Sequence, residues 1–152
     1  EVGEYSFDSC SLKEINLPNV KIIKSFGFQN CPGVTELNLP ELKECDGFDE
    51  CENLKKLSLP KLKKCNGFRA CLSLTELNLP QLEQCGGFGQ CANIKALNLP
   101  SLVTCFDKGF NLCSGLVELN LHNLKLNWGF NSCENIQNLN LPKLQQCWGF
   151  RN

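Results

Sequence analysis

The chain has no methionine, only one histidine, and no apolar run approaching the length of a membrane-spanning helix. A helix that crosses a bilayer needs about 20 consecutive apolar residues, so no segment qualifies as a membrane span. A secretory signal pattern is missing as well. Basic excess is also lacking: Lys plus Arg number 15 against 16 Asp plus Glu, for a net charge of -1. That leaves no electrostatic footprint for a nucleic-acid partner. No glycine-rich phosphate loop follows a strand pattern. None of the eighteen asparagines lies in an Asn-x-Ser/Thr acceptor, which disfavours an N-glycosylated surface. With no Met even at position 1, the sequence is expected to be a processed product or part of a longer array.

Cysteine, by contrast, is abundant: 12 in 152 residues, near the level of a small disulfide scaffold. Its placement is periodic. Cys10, Cys31, Cys51, Cys71, Cys91, Cys113 and Cys133 recur at steps of 21, 20, 20, 20, 22 and 20. Aligned on them, the text reads C-x-x-L-x-x-L-x-L-P-x-L-x-x-C-x-G-F-x-x, and Cys51 to Ala70 is the cleanest copy. Seven copies start near residues 10, 31, 51, 71, 91, 113 and 133; residues 1–9 form a partial coil with Phe7 in the Phe column. Residues 1–152 are therefore one repeat domain.

The period has a direct physical reading. In Leu57-Ser58-Leu59-Pro60, alternation points both leucines inward and Ser58 outward, and proline then ends the strand. One coil cannot bury its apolar side alone, so stacking must supply a continuous core. The expected fold is a solenoid of about seven 20-residue coils, with short parallel strands about 4.8 Å apart and little or no regular α-helix. The Phe column (Phe7, Phe28, Phe48, Phe68, Phe88, Phe110, Phe130, Phe150) is expected to be a buried aromatic spine. The glycine before each of its later members predicts positive φ or close packing. Two-residue insertions in the first and fifth copies are expected to form loops on one face.

The L-x-x-L-x-L core is the leucine-rich-repeat signature. Leu17-Pro18-Asn19-Val20-Lys21-Ile22-Ile23 through Phe28-Gln29-Asn30-Cys31 resembles the BspA-like leucine-rich repeat, and the match covers nearly the whole chain. The coil here is shorter, with Gly where the family often has Ala and Cys where it often has Ile. The resemblance implies the solenoid fold and an extracellular or cell-surface setting, with roles in adhesion and matrix binding. It does not identify a ligand.

A second cysteine column, Cys45, Cys65, Cys85, Cys105 and Cys147, has Ile23 and Asn127 at its vacant places. Pairing it with the first column leaves orphans in either direction. The spacing favours buried thiols acting as small hydrophobes, with partial disulfides as the alternative and metal the weakest, since zinc wants four converging ligands. His122 stands where the repeat has proline, so it reads as a turn residue and not as a general base. No catalytic set, metal site or cofactor is expected.

Two surfaces stand out. The outward strand column, Asn16, Asn38, Ser58, Asn78, Asn98, Asn120 and Asn140, is expected to form a stabilising side-chain ladder or a flat polar binding face. Ice binding is disfavoured because the neighbouring column is charged and irregular. The position before each glycine reads Phe26, Asp46, Asn66 and Gly86, then the Phe106-Asp107-Lys108 insertion, Trp128 and Trp148. Phe106, Trp128 and Trp148 are candidates for a partner or subunit interface, or for a cover on the end of the core. The leading expectation is a non-catalytic structural role: a repeat module stacking head-to-tail on itself, in a filament or a long surface array. The alternative is an adhesin or receptor module that binds another protein or surface ligand through its strand face.

Overall fold

The computed structural model describes residues 1–151, and no helix occurs among them. The strands in chain order are β1 (Ile22–Ile23), β2 (Glu36–Asn38), β3 (Glu44–Cys45), β4 (Lys56–Ser58), β5 (Lys64–Cys65), β6 (Glu76–Asn78), β7 (Gln84–Cys85), β8 (Ala96–Asn98), β9 (Thr104–Cys105), β10 (Glu118–Asn120), β11 (Leu126–Asn127), β12 (Asn138–Asn140) and β13 (Gln146–Cys147). All pairings are parallel, in a register that places each residue on its equivalent in the next coil, such as Leu37 on Leu57 and Cys45 on Cys65.

The sequence predicts one sheet, but the coil is hydrogen-bonded to its neighbours on three sides. The L-x-L strands make one side and the second cysteine column makes another, a seven-stranded sheet from β1 to β13. On the third side the Phe N–H groups from Phe7 to Phe110 donate to the Gly carbonyl of the next coil: Phe48 to Gly67 at 2.8 Å, Phe88 to Gly109 at 2.7 Å. Between these sides the chain turns. Leu62 N–H closes on the Leu59 carbonyl at 3.1 Å across Pro60, whose fixed φ suits the second position of a tight turn.

The L-x-L sheet is interrupted once. It falls into β2-β4-β6 and β8-β10-β12, with no pairing between β6 and β8, although β7 and β9 remain paired on the cysteine side. Leu77 at the break is half-buried, whereas Leu57 and Leu97 are buried. In the first coil Ile15-Asn16-Leu17 forms no strand, and this copy is one residue short after Cys10.

The Phe column is a stack. Ring centroids from Phe28 to Phe130 are 5.0–5.4 Å apart and 5–9° from parallel, and these six rings are at most 1 % exposed. The spacing follows from the rung separation of parallel strands. The glycines before these rings are there for packing. None has positive φ, and a Cβ at Gly67 would lie 2.1 Å from the Asp46 carbonyl carbon. Left-handed backbone falls instead on the last residue of each coil: Asn30, Glu50, Ala70, Gln90, Leu112 and Ser132, with φ between 50 and 66°.

All twelve cysteines are free thiols. Those of the first column are more than small hydrophobes: Cys51 donates to the Phe28 carbonyl at 3.3 Å, Cys71 to Phe48 at 3.2 Å, and Cys91 to Phe68 at 3.1 Å. A thiol is compact enough for the column and still carries a weak donor. Asn127, the polar occupant of the second column, is fully buried. Its Oδ1 accepts from Gly129 N–H at 3.0 Å and its Nδ2 donates to Cys147 Sγ at 3.5 Å, which meets the demand of a buried amide.

Candidate interaction surfaces

The continuous cysteine-side ladder aligns the residue after each of its strands. Lys24, Asp46, Asn66, Gly86, Phe106, Trp128 and Trp148 therefore stand on successive rungs of one outer column, while Phe26 lies in the first insertion, its N–H donating to the Asp46 carbonyl at 3.1 Å. Phe106 is 43 % exposed, Trp148 is 45 % exposed, and Trp128 is half-buried between those two rungs. The tryptophan rings stack at 5.1 Å and 4°. Phe106 takes no part in a ring stack among the described residues and instead forms an end wall of a groove.

That groove, about 500 Å³, was not anticipated from sequence. It runs along the outer column between the two insertions, with Phe26 at one end and Phe106, Asp107 and Lys108 at the other. Asp46, Asn66 and Gly86 lie along it, and Asp49 and Arg69 flank it. Burial, partly countered by the Arg69 N–H that donates to Asp49 Oδ1 at 2.8 Å, raises the Asp49 carboxyl to about 6. The signal available in the sequence was Cys85-Gly86-Gly87-Phe88-Gly89, the one copy with glycine at both positions flanking its Gly-Phe pair.

The outward strand column is solvent-facing, with short runs of contact. Asn78 donates to Ser58 Oγ at 3.4 Å, and Asn140 to Asn120 Oδ1 at 3.3 Å. The break between β6 and β8 separates Asn78 from Asn98, and Asn16 lies outside any strand. Asn38 faces solvent on β2. Beside this column Lys56 pairs with Glu76 at 3.5 Å, and past the proline turn Lys61 pairs with Glu41 at 2.6 Å and Lys63 with Glu83 at 3.1 Å, all across coils. Exposed pairs of this kind add little stability.

His122 is exposed at its turn, with Nδ1 2.9 Å from Asn120 Oδ1. Burial pushes the thiols of Cys51, Cys85 and Cys91 up to about 12, and those of Cys65, Cys71 and Cys105 well above the ordinary thiol range. Among the described residues no group of three His, Cys, Asp or Glu side chains could hold a metal ion, and no helix is long and apolar enough to cross a membrane.

The end coils expose what interior coils cover. At one end Tyr5 is 57 % and Phe7 40 % exposed; at the other Leu139 is 54 % exposed, where its equivalent Leu119 is 2 % exposed.

No curated protein and no solved structure matches the chain. A family model does, in six copies over residues 1–84 and 44–146: the BspA type leucine rich repeat region. The short L-x-L strands, the absence of helix among the described residues and the coil-to-coil register fit that assignment, and the chain belongs to the BspA-type leucine-rich-repeat family.

Proposed function

We propose that the chain is a non-catalytic interaction module whose end coils are covered by further coils of the same pattern, in a head-to-tail assembly or a long surface array. The carrying observation is the match between the end faces and the interior. Leu139, Leu141, Leu144 and Phe150 occupy columns that interior coils bury, and Phe7, Ile15 and Leu17 occupy the same columns at the other end. At the C-terminal end β12 and β13 are edge strands, and an unpaired strand edge is a template for another strand. A contact between two different faces is head-to-tail, and where its rotation does not close a ring it propagates. A cell-surface setting is consistent with the family, whose members are commonly surface-associated.

The test is light scattering across a dilution series, with electron microscopy of the same sample. Filaments of constant width, abolished by Leu139→Lys, are the expected result. A 17.0 kDa monomer at every concentration defeats self-assembly for this chain. The second reading, a ligand-binding module, is favoured by the exposed and coil-to-coil variable strand face, where Lys56 follows Glu36 and precedes Glu76.

A further inference from the structure

The groove between the insertions is built differently from the rest of the outer column. Elsewhere that column carries side chains; at Gly86 it carries none. Gly86 does not have positive φ, so its backbone does not require glycine. A Cβ there would meet only the far end of a side chain closely, Asn66 Oδ1 at 2.4 Å, and that side chain can move. Gly86 itself is buried, with the Asn66 amide standing where a side chain would be, so the floor of the groove there is backbone overlain by a movable side chain and glycine is not a demand of the fold. Phe106 closes the groove on one side. Two rungs the other way, about 10 Å off at strand spacing, stand the half-buried Asp46 and Asp49, with the Phe26 ring beyond them.

The charges are sorted by depth. The two carboxylates are half-buried in the wall, whereas Arg69 and Lys108 are exposed at the rim. None of these four groups is in an ion pair among the described residues, although four other pairs form across coils. Half-buried carboxylates without an ion-pair partner, with Arg69 the cation that acts on Asp49 from the rim, favour a further cation. Aromatic faces within reach favour an organic one.

We propose that this groove docks an extended segment of a partner protein through one arginine or lysine side chain. The segment lies over Gly86 against Phe106, and its basic side chain reaches across Asn66 to Asp46 and Asp49, under Phe26. Arginine suits the site better than lysine, because its planar fork can pair with carboxylate and stack on a ring together. The rim cations Arg69 and Lys108 are placed to meet carbonyl or carboxylate groups of the same segment. This binding is separate from end-to-end stacking, since none of Asp46, Asp49 and Gly86 lies in an end coil.

The test is an amide chemical-shift titration of the isotope-labelled chain carrying Leu139→Lys, which lies far from the groove and blocks stacking. The probe is acetyl-Ala-Arg-Ala-amide, with acetyl-Ala-Glu-Ala-amide as control. The arginine peptide is expected to shift amides around Asp46, Asn66 and Gly86, and the glutamate peptide is not. The double variant Asp46→Asn plus Asp49→Asn should weaken binding at least about tenfold, and Gly86→Leu should do so by filling the notch, with the fold checked by circular dichroism. Affinity should also rise severalfold between pH 5 and 7 as Asp49 ionises through about 6; Asp46 and Glu50 beside it raise that value and Arg69 lowers it. Absent shifts, equal shifts with the glutamate peptide, or undiminished binding by the double Asp variant would each overturn the proposal.

Discussion

Two columns run side by side along the solenoid, only two residues apart in sequence. Phe88 belongs to one and Gly86 to the other. The Phe column holds the same side chain in every coil, stacked and sealed. The outer column changes at almost every rung, from Lys24 through Asp46, Asn66 and Gly86 to Phe106 and Trp128. The flanking ladders on the cysteine and Phe sides are continuous past both, and the two-residue insertions at Phe26 and at Asp107-Lys108 fall beside the outer column alone. Architecture thus constrains only the inward positions. The column beside them is free to vary, and a groove can form there at no cost to the stack.

The largest expected break in the sealed side comes from alkali. The folded-state pKa of Cys51, Cys85 and Cys91 is raised to about 12, against about 8.5 in an unfolded chain. Their contribution is whole below pH 8.5 and is lost as pH rises toward 12, since the unfolded chain sheds protons first. At pH 10 each thiol should cost about 2 kcal/mol, some 6 kcal/mol for the three. Urea unfolding at pH 7 and pH 10 checks this. The exposed thiol of Cys147 should react with a thiol reagent at once, while these three should wait for unfolding.

Truncation comes next. Phe68→Ala, in mid-stack, should cost about 3–5 kcal/mol. Phe7→Ala, at an end ring already 40 % exposed, should cost far less, so the two denaturation midpoints should separate clearly. A smaller effect should come from adding one carbon. Gly67→Ala drives a Cβ into the Asp46 backbone and should cost about 1–3 kcal/mol. Gly86→Ala, which meets only the Asn66 side chain, should stay within about 0.5 kcal/mol. Thermal melts of the pair test whether the two columns are constrained as differently as the packing indicates. Last, Ala70→Gly relieves a left-handed φ of 57° and should raise stability by about 1 kcal/mol.

Much of this was legible in the residues. The period gave the coil, the alternation in L-x-L-P gave the inward leucines, and the recurring Phe gave the spine. Of the two readings of the glycines, close packing is the one the structure shows, and they do not carry the other, positive φ. It falls at the coil's last residue, where Glu50, Ala70 and Gln90 give no compositional cue. Phe106, Trp128 and Trp148 do share a column, as the spacing required, but only the tryptophans stack. Cys85-Gly86-Gly87-Phe88-Gly89 pointed to a gap in the surface. It could not show that the insertion at Phe26 and the one at Phe106 close off the same groove, because they lie 80 positions apart in sequence.

The sequence alone determined the repeat and which residues face the core, and it shows that no segment has the length and apolarity of a membrane-spanning helix, since these depend on local pattern and composition. The tertiary structure decided how many sides of the coil are hydrogen-bonded, where the L-x-L sheet breaks, and which distant charges share a groove. Those follow from stacking one coil on the next, and contacts between rungs are not written within any single period.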